Sequence, residues 1–193
     1  MTSILTHSVD PGIDLAPKSQ WPLAFVGTEL DKRGREAVAW VHQRSPDVIV
    51  LDFENGTLRT AGKPLWSKSL VDRIKNQQSI LIEATTLGLV EVLLIMKAAV
   101  QARVKKIDIL YVEPGEYTES KNDPLRWGRD FSLSGNRHFA AVQGFSVDRS
   151  MYKTGQVVAF LGFEGARLRQ AIEQMAPEGW SMHAVFGIPG FEP

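Results

Sequence analysis

Short apolar runs, separated by stretches of helix length, constrain what this chain can fold into more than any other feature of its sequence. Pro22–Gly27, Val48–Phe53, Ser79–Ala84 and Ile107–Glu113 are each dominated by Val, Ile, Leu, Ala or Phe. Their starts recur at roughly 30 residues, the length of a strand, a helix and a return in a βαβ unit. A strand with one wet face alternates apolar and polar residues, whereas a near-continuous apolar run belongs to a strand covered on both sides. Parallel strands with helices between them meet that condition. The pattern returns later, with a strand at Gln156–Gly162, a helix at Ala166–Met175 and a strand at Met182–Gly187.

The fold expected is therefore α/β, an open and mostly parallel Rossmann-like sheet with helices on both faces and a β-hairpin excursion. Residues 1–20 have no periodicity and read as an irregular N-terminal arm, and residues 21–193 read as a single domain. Within it, 119–154 is rich in Asn, Asp, Gly, Ser and Arg and reads as a loop or β excursion, with a hairpin tip at Ser134–Asn136. Thr57–Pro64 reads as a turn or small hairpin, and Asn55–Gly56 as a turn where φ becomes positive. Helix starts are expected at Thr28–Asp31 and Ser69–Asp72, where a hydroxyl stands three residues before a carboxylate. Thr85 or Thr86 is expected to cap the helix that continues through Lys97.

Composition excludes several classes. Lys plus Arg and Asp plus Glu number 22 each, so no net charge draws the chain to nucleic acid or to an acidic membrane. Cysteine is absent, which removes disulfides, thiolate metal sites and a cysteine nucleophile together. Met1–Asp10 has neither a basic leader nor an apolar stretch, and a cytoplasmic location is expected. The most apolar segment, Leu87–Val104, is interrupted by Glu91, Lys97 and Arg103, so a buried helix is expected rather than a membrane span. It is apolar around most of its circumference, more than one sheet face requires. A second subunit is expected to cover part of it, giving a homodimer.

In an open parallel sheet, ligands bind beyond the carboxyl ends of the strands, where loops meet helix N-termini. The segments at those ends are Gly27–Glu29, Asp52–Asn55, Thr85–Gly88, Glu113–Tyr117 and Gly162–Gly165. Gly27–Thr28 and Thr85–Thr86 combine little bulk, hydroxyl donors and a helix start, a combination suited to a phosphate or another anion. Simple helix capping uses the same residue types. A nucleotide-like anion would be held by Gly27, Thr28, Thr85 and Thr86, with Glu113, Tyr117, Gly162 and Glu164 shaping its surroundings. Neither GxGxxG nor GxxxxGK[ST] is present, which disfavours ordinary dinucleotide and ATP binding.

The stretch Ile80-Leu-Ile-Glu-Ala-Thr-Thr-Leu-Gly-Leu-Val-Glu91, followed by a long apolar helix and the strand Ile109-Leu-Tyr-Val-Glu113, resembles part of the CARF-type Rossmann domains. That family senses cyclic oligonucleotides in prokaryotic antiviral defence and generally forms dimers. The resemblance implies a regulatory, noncatalytic role. Leu87 and Gly88 stand where members often carry a lysine or arginine.

Two other uses of the same edge remain open. Glu29, Asp52, Glu54, Glu83, Glu113, Glu116 and Glu164 lie at or near strand ends, and hard oxygen ligands from several loops suit Mg²⁺. A Mg²⁺-dependent phosphoesterase or nuclease would use Asp52, Glu54 and Glu113; otherwise no cofactor is expected. Val48–Leu58 also resembles the aspartate-led motif of haloacid-dehalogenase-like phosphatases, which would make Asp52 a nucleophile. An inserted residue before Gly56 and Glu54 in place of the second aspartate depart from that motif. His7, His42, His138 and His183 form no metal-ligand spacing. A further expectation is structural, a subunit of a larger assembly with no small-molecule site, whose fold a continuation or a partner completes.

Overall fold

Ile80, Leu81 and Ile82 are all buried, although successive side chains on a strand point to opposite faces. The strand that carries them must therefore be covered on both sides. In the computed structural model, which describes residues 20–112, 142, 144–145, 154–161 and 180–186, that strand is one of the two inner strands of a parallel sheet. The chain divides into two units, Met1–Gly115 and Glu116–Pro193.

In the first unit, β1 (Ala24–Val26) leads through helix α1 (Lys32–His42) to β2 (Val48–Val50). An antiparallel excursion follows, formed by β3 (Asp52–Glu54), β4 (Thr57–Thr60) and β5 (Lys63–Pro64). Helix α2 (Ser67–Ile74), β6 (Ser79–Glu83), helix α3 (Leu89–Gln101) and β7 (Lys106–Leu110) complete the described part of the unit. The parallel sheet has the order β2-β1-β6-β7, so β1 and β6 are its inner strands.

Strand alternation sorts the core into two clusters. Leu23, Phe25, Ile80 and Ile82 pack with Leu70 and Ile74 of α2 and with Ile95, Ala98 and Ala99 of α3. Ala24, Val26 and Leu81 pack with Val38 and Val41 of α1. Helices thus cover both faces, and the α/β class expected of continuous apolar strands is the class observed. Burying each such aliphatic side chain contributes on the order of 1.5–3 kcal/mol, and the one polar residue fully buried in the central strands, Glu83, has both carboxylate oxygens hydrogen-bonded.

The run Val48–Phe53 does not stay in one sheet. Leu51 is buried and still donates its amide to Val26, after which the chain leaves to form β3. The small hairpin expected over Thr57–Pro64 is present, and it pairs with β3 to make three strands. At the β3–β4 turn Asn55 has φ +51° and Gly56 +77°, the paired positive values of a tight hairpin turn.

The expected helix starts are corrected. Asp31, not Thr28, caps α1, its carboxylate accepting from the Gly34 amide at 2.7 Å. Helix α2 begins at Ser67 with Trp66 at its cap position, so Ser69 and Asp72 lie inside it and Asp72 pairs with Lys75 at 3.1 Å. Helix α3 begins at Leu89 behind Gly88 without any side-chain cap, so neither Thr85 nor Thr86 caps it. Both threonines sit too early in the chain and are committed elsewhere. Of α3, Ile95, Ala98 and Ala99 are buried, while Leu89 and Val100 are exposed. Among the described residues no helix is long and apolar enough to cross a membrane.

In the second unit, β8 (Gln156–Leu161) and β9 (Ser181–Phe186) pair in parallel, with Val157 opposite Met182 and Ala159 opposite Ala184. Parallel neighbours need a crossover of a dozen or more residues between them, and the spacing of these two strands provides it. The helix expected at Ala166–Met175 and the excursion expected around Ser134–Asn136 lie outside the described residues.

Candidate functional site

The connection from β1 runs to one side of the sheet, to β2, and the later connection from β6 runs to the other, to β7. The carboxyl ends of β1 and β6 are therefore the two strand ends from which the chain diverges. In open α/β sheets that divergence opens a crevice in which ligands are held. Here it brings Gly27 beside Thr86.

The arrangement is built around Glu83, the last residue of β6, which is fully buried. A buried carboxylate is costly unless each oxygen is hydrogen-bonded. One oxygen accepts from the Thr85 amide at 2.6 Å, and the other accepts from the Thr86 amide at 3.0 Å and from the Thr86 hydroxyl. The acceptor thus folds the chain that follows it into a turn, in the way short polar side chains bond their own backbone two residues on.

A hydroxyl has one hydrogen to give and lone pairs to receive. Thr86 gives its hydrogen to Glu83 and accepts from the Gly27 amide at 2.8 Å. The Thr85 hydroxyl accepts from the amide of Val112, just beyond β7, at 2.8 Å. Three neighbouring strand ends are thereby tied to one turn.

Small residues make the approach possible. A Cβ on Gly27 would stand 2.1 Å from the carbonyl oxygen of Thr86, inside the backbone itself. A Cβ on Gly34 would stand 2.9 Å from the Thr86 methyl group. Glycine inside a helix costs about 1 kcal/mol relative to alanine; at Gly34 that loss allows the first turn of α1 to close over Thr86. Leu87, buried, anchors the far side of the turn in the α2–α3 core.

No protein-family model, curated protein or solved structure matches the chain. Of the residues expected to bind a ligand, Gly27, Thr85 and Thr86 converge, and Thr28 is exposed directly after Gly27. Glu113, Tyr117, Gly162 and Glu164 lie outside the described residues. Asp52 and Glu54 stand on β3, in the antiparallel excursion, and Glu54 is paired with Arg59 of β4. Among the described residues no group of three or more histidines or carboxylates is placed to hold a metal ion.

Glu83 and Gly34 carry the local geometry, and neither was expected to serve a site in that way. For Glu83 the signal was present: a single acid inside an apolar strand, followed after two and three residues by residues whose amides it can bind. For Gly34 it was not, because nothing near it in the sequence requires a small residue.

Proposed function

We propose that this chain contains a Rossmann-like ligand-sensing or regulatory domain that binds a nucleotide-like anion at the carboxyl edge of its four-stranded sheet. The resemblance of Ile80–Glu113 to CARF-type domains extends that role to prokaryotic antiviral defence. The observation that carries the reading is the strand order β2-β1-β6-β7, in which β1 and β6 diverge at their carboxyl ends. Helix α1 on one face and α2 and α3 on the other fit the same doubly wound plan.

Within that edge the expected residues divide by role. Gly27 and Thr86 are bonded to each other and form the floor. Thr28 is exposed, and the Thr85 hydroxyl accepts from Val112 and keeps its hydrogen to donate. These two hydroxyls are the groups that meet the anion.

Thermal unfolding of the full chain against mono-, di- and cyclic oligonucleotides, with and without Mg²⁺, tests the proposal. A ligand at a hundred times its Kd should stabilise the protein by about 2.7 kcal/mol. Thr28→Val and Thr85→Val should each weaken that ligand by about tenfold, or 1.4 kcal/mol, in protein that remains folded. No stabilisation by any nucleotide, or unchanged affinity in both variants, rejects the site. Stabilisation that requires Mg²⁺ and is accompanied by product formation would instead establish the phosphoesterase. A homodimer through α3 belongs to the same proposal, because Leu89, Met96 and Val100 leave an apolar stripe uncovered. Light scattering that finds a monomer at micromolar concentration removes it.

A further inference from the structure

Three strand ends meet at one buried carboxylate, two of them each through its own threonine. The end of β1 reaches it from the Gly27 amide through the Thr86 hydroxyl, and the end of β7 from the Val112 amide through the Thr85 hydroxyl and backbone. The carboxylate itself closes β6. We propose that Glu83 is a positioning residue that couples the carboxyl ends of β1, β6 and β7, so that the three open and close as one unit. This goes beyond the ligand reading and holds whether or not a nucleotide binds.

The coupling follows from how few options each group has. Because the single hydrogen of the Thr86 hydroxyl goes to Glu83, the lone pair that faces Gly27 is held in a fixed direction. Without the carboxylate the hydroxyl is free to rotate, and the Gly27 amide loses an oriented acceptor. Thr85 is held in the same way, since Glu83 binds its amide while its hydroxyl binds Val112. Displacing the turn at either threonine moves the acceptor shared by both, and a buried acceptor that loses one donor has no water to replace it. Packing reinforces the bonds, because Gly27 and Gly34 approach Thr86 from two sides more closely than a Cβ would allow.

Native-state hydrogen exchange on the full chain, read amide by amide by NMR, distinguishes one unit from three independent ends. In the unaltered protein the amides of Gly27, Thr85, Thr86 and Val112 should exchange with one common denaturant dependence. Thr86→Val removes the bond to β1, yet it should also speed exchange at Val112 by about tenfold more than at Ile82, whose core amide reports global unfolding. Thr85→Val should do the same at Gly27. Thr86→Ser, which keeps the hydroxyl, should restore protection at Val112. Glu83→Gln should speed all four together, because an amide nitrogen replaces an oxygen facing donors; should it fail to fold, the threonine variants decide the matter. If Thr86→Val speeds Gly27 but leaves Val112 in step with Ile82, the ends are independent and the proposal is wrong.

Discussion

Two turns in the first unit differ in what holds them. The turn at Asn55–Gly56 joins strands that are consecutive in the chain, and its positive φ values suit the residues that stand there. A Cβ on Gly56 would meet nothing within 4 Å, so only the backbone conformation asks for glycine. The turn at Thr85–Thr86 is held instead by Glu83 and by amides 59 and 27 residues away, at Gly27 and Val112. There glycine at position 27 is demanded by contact, with no unusual φ involved. A turn of the first kind is an element of local structure, whereas a turn of the second kind is a junction that exists only once the sheet has assembled.

Substitutions at the two turns should therefore separate by size, and urea unfolding of each variant orders them. Gly27→Ala should be the most damaging, costing about 3 kcal/mol, because backbone cannot yield as a side chain can. A loss near 1 kcal/mol there would mean that the β1 end has room to move and that the junction is loose. Thr86→Val follows at about 2 kcal/mol, since it leaves the Gly27 amide without its acceptor and removes one donor from a buried carboxylate.

Gly56→Ala should cost about 1 kcal/mol, the ordinary penalty for placing a Cβ in the left-handed region. If it matched Gly27→Ala, the hairpin turn would owe its glycine to an unrecognised contact, and the distinction between the two turns would fail. Smallest of all is Glu54→Ala. It breaks the pair between the exposed Glu54 and the partly buried Arg59 and should change stability by about 0.5 kcal/mol. A much larger loss, measured at low and high salt, would show that the excursion is more than a surface hairpin.

The same contrast explains which parts of the site were legible. Gly27, Thr28, Thr85 and Thr86 were placed at one sheet edge because strand ends can be read from where apolar runs stop. Their roles could not be read in the same way. Thr28 and Asp31 are both good cap residues, and the path of the chain out of β1 decides that Asp31 faces the first turn. Thr85 and Thr86 look like caps for α3, but Glu83 captures their amides first and the helix starts later, at Leu89. The break between β2 and β3 was hidden for a related reason. Val48–Phe53 is one apolar run, and nothing within it indicates that Leu51 still pairs with Val26 while Asp52 has turned to Arg59.

By itself the sequence determined the class of fold, the buried character of β1 and β6, the hairpin turn at Asn55–Gly56 and the edge at which hydroxyls gather. All of these follow from periodicity, propensity and backbone sterics, which act over a few residues. Only the tertiary structure decided that β6 lies beside β1, that Gly27 must be small for Thr86, and that one carboxylate serves three strand ends. Those outcomes depend on which groups meet across the assembled sheet. A hydroxyl's partner is chosen by what is nearby in space, and a sequence specifies that only through the fold.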